Sequence, residues 1–380
     1  MKFVARVGAR VPAHVRYTLL ALASTRIALA LIGVGSRALL MPLVGQQYAW
    51  KYSENPWLDI WGVFDSGWYL SIAVHDYQAE LSSAAATVGQ ANYAFFPLYP
   101  LLIRGLASIV GDHYLAGIVL SNICLLLACI SLYKLVRLDS DHSTALASIR
   151  YLLIFPVSFI LSGVFTESLF LLLAIMCFYY AKRSHWLLVG ISVFLLALTR
   201  SVGILAFIPL LYEYVRQKDF KVRRLRPDML FLMLIPLGLF VFAVHNYLLT
   251  GDYLATVHIQ ETGWGHQMTN PLLFLSDNLR GDNILLRFEA CFVVTLLVLL
   301  NAFYRKIGFS YWLLAMGALI FPLATASPSM PRYSLVVFPI YILLAKLARN
   351  NWLDQTLTAV LCLFQGWLMV FWSNGFTLVV

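Results

Sequence analysis

The sequence predicts an all-α fold, a polytopic bundle of about eleven transmembrane helices with a long loop after the first of them. Three observations predict it. The chain of 380 residues is 61% hydrophobic and 12% charged, with mean hydropathy +0.79, where soluble domains carry roughly 25% charged residues. Apolar runs recur along its length, close to the roughly 17–25 residues that a membrane crossing needs. The basic residues, finally, fall unevenly on the two sides that those runs define. Residues 1–380 therefore read as a single integral membrane domain.

The runs lie at 17–36, 115–136, 150–165, 166–181, 186–199, 201–215, 228–249, 284–304, 308–326, 333–348 and 355–372. Two adjacent pairs, 150–165/166–181 and 186–199/201–215, are short. Each pair reads as a hairpin rather than one long broken helix, because a polar triplet sits at its midpoint and charges sit at its ends. The triplets are Thr166-Glu167-Ser168 and Thr199-Arg200-Ser201. They give the two hairpins the look of a weak internal duplication.

Ahead of the first run, Lys2, Arg6 and Arg10 share one helical face, as an interfacial helix on anionic lipid would have them. No A-x-A cleavage site follows, so the first run is expected to be an uncleaved anchor. With the N-terminus in the cytoplasm, Arg26 lies inside the first helix. The far side then holds only Arg37, Lys51, Arg104, Arg200, Arg280, Arg287 and Arg332 of the 27 basic residues. The net charge of +9 is thus a topology signal, and nucleic acid is not an expected partner. The densest basic run, Arg216–Arg226, reads as a cytoplasmic anchor. Loops 37–114, 250–283 and 327–332 fall outside, and loops that long are usually functional. Compact length and short connectors point to a bacterial inner membrane with the active face towards the periplasm.

The first outer loop carries Trp61-Gly62-Val63-Phe64-Asp65-Ser66-Gly67-Trp68-Tyr69, and then Phe95-Phe96-Pro97-Leu98-Tyr99-Pro100. Aromatic faces stack on sugars, and a carboxylate accepts a proton from a hydroxyl. An interfacial belt explains the aromatics but not Asp65. Glu167 and Arg200 interrupt apolar segments, where a charge costs roughly 2.5–3.5 kcal/mol. Either they face a watery cavity, or they form an ion pair that locks the two hairpins together. Arg332, between Pro331 and Tyr333 at the start of a span, suits a phosphate. His258 and His266 share the second outer loop with Gln260, Glu261 and Trp264, and His75 follows the first motif closely. His142 and His185 fall on the cytoplasmic side, away from these.

Other motifs carry less. Asp139-Ser140-Asp141 has the D-x-D spacing that can chelate a cation, yet it sits in a cytoplasmic connector and reads as a solvated loop with a helix cap. Cys124, Cys129, Cys177, Cys291 and Cys362 lie in apolar segments at no metal-binding spacing and read as small core residues. With no H-E-x-x-H, no metal site is expected, and G-x-S-x-G, Walker and G-x-G-x-x-G motifs are missing.

On these residues the chain resembles the PIG-V-like mannosyltransferases, a branch of the GT-C superfamily of membrane glycosyltransferases. The matching elements are Phe64 through Tyr69 with Ile72-Ala73 and Tyr77, Phe95 through Pro100, and Thr166 through Phe170. Ala197 through Arg200, Gln260 through Trp264 to Pro271, and Pro331-Arg332-Tyr333 follow in the family's order. Phe64 stands where the family is expected to have Trp, and His266 where a basic residue, often Arg, is typical. The resemblance implies a GT-C fold with a catalytic first outer loop and a polyprenyl-phosphate sugar donor, most readily mannose. Asp65 would be the general base, with Glu167 as a second catalytic carboxylate. Trp68, Tyr69, His75, Tyr99, Arg200, Gln260, Trp264, His266, Arg332 and Tyr333 would bind donor or acceptor. The acceptor would be a lipid, a glycan or a protein. No cofactor is expected, because phosphate is a good leaving group and no divalent metal is demanded. The rival reading, a transporter or flippase of lipid-linked sugars, requires polar residues along a path across the bilayer, whereas these crowd one layer.

Overall fold

The computed structural model describes residues 11–45, 50–84 and 87–376; Lys2, Arg6 and Arg10 lie outside them. Every regular element among the described residues is helical. The bundle opens with α1 (Ala13–Val44). Helices α2 (Ser66–His75) and α3 (Leu98–Val110) precede α4 (His113–Val136). Two hairpins follow, α5 (His142–Leu153) with α6 (Glu167–Lys182) and α7 (Trp186–Ala197) with α8 (Phe207–Gln217). Then come α9 (Leu234–Thr250), α10 (Ala255–Trp264), α11 (Pro271–Arg280), α12 (Ile284–Ala302) and α13 (Phe309–Ala324). The chain closes with α14 (Met330–Leu335), α15 (Pro339–Leu347) and α16 (Asn351–Ser373).

Among the described residues, five helical stretches are long and apolar enough to cross a membrane: α1, α4, Pro227–Thr250 ending in α9, α12 and α16. The chain is an integral, multi-pass membrane protein. About eleven full crossings were expected; the other apolar runs are shorter helices separated by irregular backbone. The expected loop 37–114 also begins later and holds more structure. Helix α1 continues past Arg37 to Val44, and α3 is an apolar helix inside the loop.

The hairpin tips explain why some runs are short. Between α5 and α6 the backbone leaves the α-helix around Pro156, and residues 154–166 are all buried. Irregular backbone at membrane depth must be enclosed and its polar groups satisfied. Arg26 of α1 does part of this, its Nη1 donating to the Ser158 carbonyl at 2.7 Å and its Nη2 to that of Leu153 at 3.2 Å. Gln365 of α16 adds bonds to the carbonyls of Leu153 at 2.8 Å and Phe155 at 3.2 Å. An arginine inside an apolar helix is thus the cap of a broken helix in its neighbour.

The far ends of the arms return to one side. Lys182 pairs with Asp139, just ahead of α5, and the Gln217 amide donates to the Ala181 carbonyl at 2.8 Å. Both units are therefore hairpins whose tips, bearing Glu167 and Arg200, meet at the opposite end of the bundle. That end carries the long loops.

The first loop is fastened by a buried ion pair. Arg37 Nη1 lies 2.7 Å from Asp59 Oδ2, with both side chains at most 10% exposed. The other carboxylate oxygen of Asp59 accepts from the amides of Tyr52 at 2.8 Å and Ser53 at 3.0 Å. Beyond it, the Trp372 indole donates to the Ile60 carbonyl at 3.0 Å and the Val164 amide to that of Trp61 at 3.1 Å. A Cβ on Gly62 would fall 2.5 Å from the Tyr114 ring and 2.6 Å from that of Tyr52, so only glycine fits this wedge. Arg104 of α3 caps the C-terminus of α2 through the carbonyls of Ala73 and Ile72. The second loop closes over the first: Thr256 donates to the Tyr93 carbonyl at 3.1 Å, and Gln90 to that of Gly263 at 2.9 Å.

Of the five cysteines, Cys124, Cys129 and Cys177 are buried as expected, whereas Cys291 and Cys362 lie on outward faces of α12 and α16. In a membrane the outside of a bundle is apolar too, so an apolar segment does not by itself place a residue inside.

Replacing Asp59 with Ala should destabilise the protein by about 3 kcal/mol or more, since it removes the carboxylate that a buried guanidinium and two amides share. The measurement is the thermal midpoint in detergent, and a midpoint equal to wild type would show that the pair does not fasten the loop.

Candidate active site

Asp65 occupies the turn that leads into α2, yet its carboxylate does not cap that helix. It points instead to Arg332, whose Nη1 lies 2.5 Å from Asp65 Oδ2. The Nε of the same guanidinium lies 2.6 Å from Glu167 Oε1, and Arg200 pairs with that oxygen as well. Two carboxylates and two guanidiniums thus form one chain, Asp65–Arg332–Glu167–Arg200. Its members come from the first loop, α14 and the tips of both hairpins.

Burial separates the two acids. The Glu167 side chain is wholly enclosed, whereas that of Asp65 is 22% exposed. Glu167 also stands in the first turn of α6, where the helix dipole favours a negative charge. The guanidiniums rest on aromatic faces, Arg332 4.6 Å from the centre of the Phe165 ring and Arg200 5.4 Å from that of Tyr333. Arg200 donates in addition to the Thr166 hydroxyl at 3.2 Å.

Both ends of the Asp65–Arg332 contact follow a left-handed residue that is not glycine, Phe64 at φ 48° and Ser329 at φ 72°. Such backbone costs of order 1–3 kcal/mol and persists only where surroundings enforce it. For Phe64 the surroundings include Trp50 and Trp372, with ring centres 5.1 Å and 6.1 Å away. For the Arg332 segment, the buried carboxylate of Glu289 on α12 accepts the Met330 amide at 3.1 Å.

An aromatic wall begins one helical turn on from Asp65, whose carbonyl accepts the Trp68 amide at 3.0 Å. Trp68 stacks on Phe95 with ring centres 5.8 Å apart, and Trp264 of the second loop meets both edge-on at 5.7 Å and 5.6 Å. Trp68 and Trp264 are partly exposed, and a flat polar ring can stack there. Tyr69 packs behind the wall against Phe95, Tyr99 and Phe165. His266 lies near enough to feel the Asp65 charge. Burial pushes its imidazole below the usual range, and Asp65 pulls the other way. Gln260 ties this turn down, its carbonyl accepting the His266 amide at 3.0 Å while its side chain reaches the Ala94 carbonyl at 3.4 Å.

The structure therefore brings together Asp65, Glu167, Arg200, Arg332 and Tyr333, with Trp68, Tyr69, Gln260, Trp264 and His266 around them. It does not bring in Tyr99 or His75. Tyr99 is fully enclosed and its hydroxyl bonds Ser121 at 2.6 Å. His75 ends α2, exposed and about 15 Å along the helix axis from Asp65. Phe165 lines the site without having been singled out, since nothing in an apolar residue marks it apart from its neighbours; Phe95 and Thr166 belonged to quoted motifs but were given no role. An apolar cleft lined by Phe170, Ala174, Leu205, Leu314 and Val337 shares Tyr333 with the charged chain. Among the described residues, no three His, Cys, Asp or Glu side chains are grouped to hold a metal ion.

Residues 95–247 match the family model described as dolichyl-phosphate-mannose-protein mannosyltransferase. That segment includes Glu167 and Arg200 but neither Asp65 nor Arg332. No curated protein matches the chain. Similar solved structures include the Archaeoglobus fulgidus oligosaccharyltransferase tethered to an acceptor peptide, at 13% identity and TM-score 0.45 over 93% of this chain and 55% of that one. The same enzyme with zinc and sulfate gives 14% and 0.44 over 93% and 53%, and with an inhibitory peptide and a dolichol-phosphate 13% and 0.44 over 93% and 56%. The chain spans about half the length of these structures. The family match supports similarity to GT-C membrane glycosyltransferases in general, and the narrower PIG-V-like resemblance is not what it supports.

Proposed function

We propose that the protein is a GT-C type membrane glycosyltransferase that moves a sugar from a polyprenyl-phosphate carrier to an acceptor hydroxyl. The observation that carries this reading is a partly open carboxylate, Asp65, paired with a guanidinium and one helical turn ahead of an aromatic wall. In the proposed step the acceptor oxygen attacks the anomeric carbon and passes its proton to Asp65. The bond from that carbon to the phosphate oxygen breaks, the phosphate keeps the electron pair, and the carbon inverts. Negative charge grows on the phosphate, and Arg332 and Arg200 would meet it. Mannose is the proposed sugar, in line with the description of the matching family. A lipid, a glycan or a protein would serve as acceptor, on the extracytoplasmic side of a bacterial inner membrane.

Glu167 takes a different role from Asp65. Enclosed and shared by two guanidiniums, it is a positioning residue that holds Arg332 and Arg200 for their task. A transporter of lipid-linked sugars is the weaker reading, because the connected chain of carboxylates and guanidiniums stays at one end of the bundle rather than running along it.

Three outcomes test this. With radiolabelled polyprenyl-phosphate mannose and a membrane lipid extract, Asp65→Asn should lower transfer by about a hundredfold or more, as removing a general base does. Its thermal midpoint should stay near that of wild type. Equal transfer by both proteins would remove Asp65 as the base. Glu167→Gln should lower the thermal midpoint well beyond Asp65→Asn, because it leaves buried charges uncompensated; the reverse order would refute its positioning role. Arg332→Ala should chiefly weaken donor binding, and unchanged donor affinity and turnover would detach it from the phosphate.

A further inference from the structure

A second charged site lies at the other end of the bundle. Helix α4, whose 24 residues span about 36 Å, begins beside the first loop and ends at Arg137. There Arg137, Lys306, Lys346 and Arg349 line a cleft of about 650 Å³ together with Asp139 and Asp141. The four cations come from the end of α4, the turn between α12 and α13, and the end of α15. Among the described residues none of the four makes an ion pair with a carboxylate.

The two acids of the cleft are engaged elsewhere. Asp139 pairs with Lys182, and Asp141 accepts the Thr144 amide at 2.7 Å as the cap of α5. The Asp139-Ser140-Asp141 spacing is therefore not a free chelate for a metal. The walls are tied together, with Lys346 Nζ donating to the Lys306 carbonyl at 2.8 Å and Arg137 Nη1 to that of Ser140 at 2.7 Å. Four cations held around one cleft repel one another, and an anion entering it relieves that repulsion. Arginine and lysine together suit a phosphate. The cleft also lies at the ends of membrane helices, where basic pockets receive lipid headgroups.

We infer that this cleft is a binding site for a phosphate-bearing anion, either an anionic phospholipid headgroup or a soluble phosphate compound. It is independent of the transferase reading. The test compares full-length wild type with Lys306→Gln/Arg349→Gln, two exposed positions. Lys221→Gln/Arg223→Gln serves as control, removing the same charge from the exposed run that follows α8. Cardiolipin retention is read by native mass spectrometry, with phosphatidylcholine for comparison, and pyrophosphate binding is read by the shift in thermal midpoint.

Cardiolipin held by wild type and control, and bound about tenfold or more weakly by Lys306→Gln/Arg349→Gln, would establish the site and a lipid source. A pyrophosphate shift lost only in Lys306→Gln/Arg349→Gln would establish it with a soluble source. Equal binding by all three proteins, or binding of neither probe, would overturn the inference.

Discussion

Much of the loop-bearing end of this bundle depends on one guanidinium. Arg332 touches Asp65 on one side and Glu167 on the other, and through Glu167 it is coupled to Arg200. Four segments far apart in the chain meet there, and their charges balance. Replacing the enclosed Glu167 leaves two guanidiniums with an excess of charge inside a poorly solvated region, whereas Asp65, 22% exposed, leaves a vacancy that solvent reaches. The left-handed residues at Phe64 and Ser329 are tolerable because the packed aromatics around Asp65 and the Glu289 contact beside Arg332 hold both ends in register.

The polar chemistry is layered. The enclosed part, Glu167 with its two guanidiniums, is positioned like a core. The open part, Asp65 with Trp68 and Trp264, is positioned like a surface. A reaction at such a boundary gains fixed charges from one side and access for an acceptor from the other. The second loop supplies one face of the wall and closes over the first through Thr256 and Gly263, so neither loop forms the site alone.

Much of this was legible in the sequence, and the reason is the same wherever it was. A charge inside an apolar run is rare enough to stand out, so Glu167, Arg200 and Arg332 were found, along with the hairpin tips that carry the first two. Asp65 stood out from its aromatic neighbours in the same way. What could not be read was partnership. Whether Glu167 and Arg200 face a cavity or each other depends on how two hairpins dock, and the structure has them paired to each other while also serving Arg332. Arg26 was read only as lying inside the first helix and is a helix cap. Arg37 counted only towards topology, yet with Asp59 it fastens the loop. His75 was grouped with the site by proximity in sequence, and the length of α2 carries it away; Tyr99 was grouped through its motif, and it lies enclosed with its hydroxyl on Ser121. Where an apolar run breaks could not be read either, because a buried run can be irregular backbone enclosed by protein, as residues 154–166 are.

The positions of the four charged residues along the chain bear on how the protein is made. Glu167 and Arg200 are separated only by α6, α7 and the turn that joins them, so they can neutralise each other as soon as the second hairpin has inserted. Asp65 has by then been waiting since the first loop emerged, and Arg332 is still unsynthesised. A ribosome-bound chain released before Arg332 would hold a paired Glu167 and an unpaired Asp65. Completion of the charged chain is thus a late event in biogenesis, and a quality-control machinery that senses unpaired charge in the membrane has a marker for nascent or truncated copies.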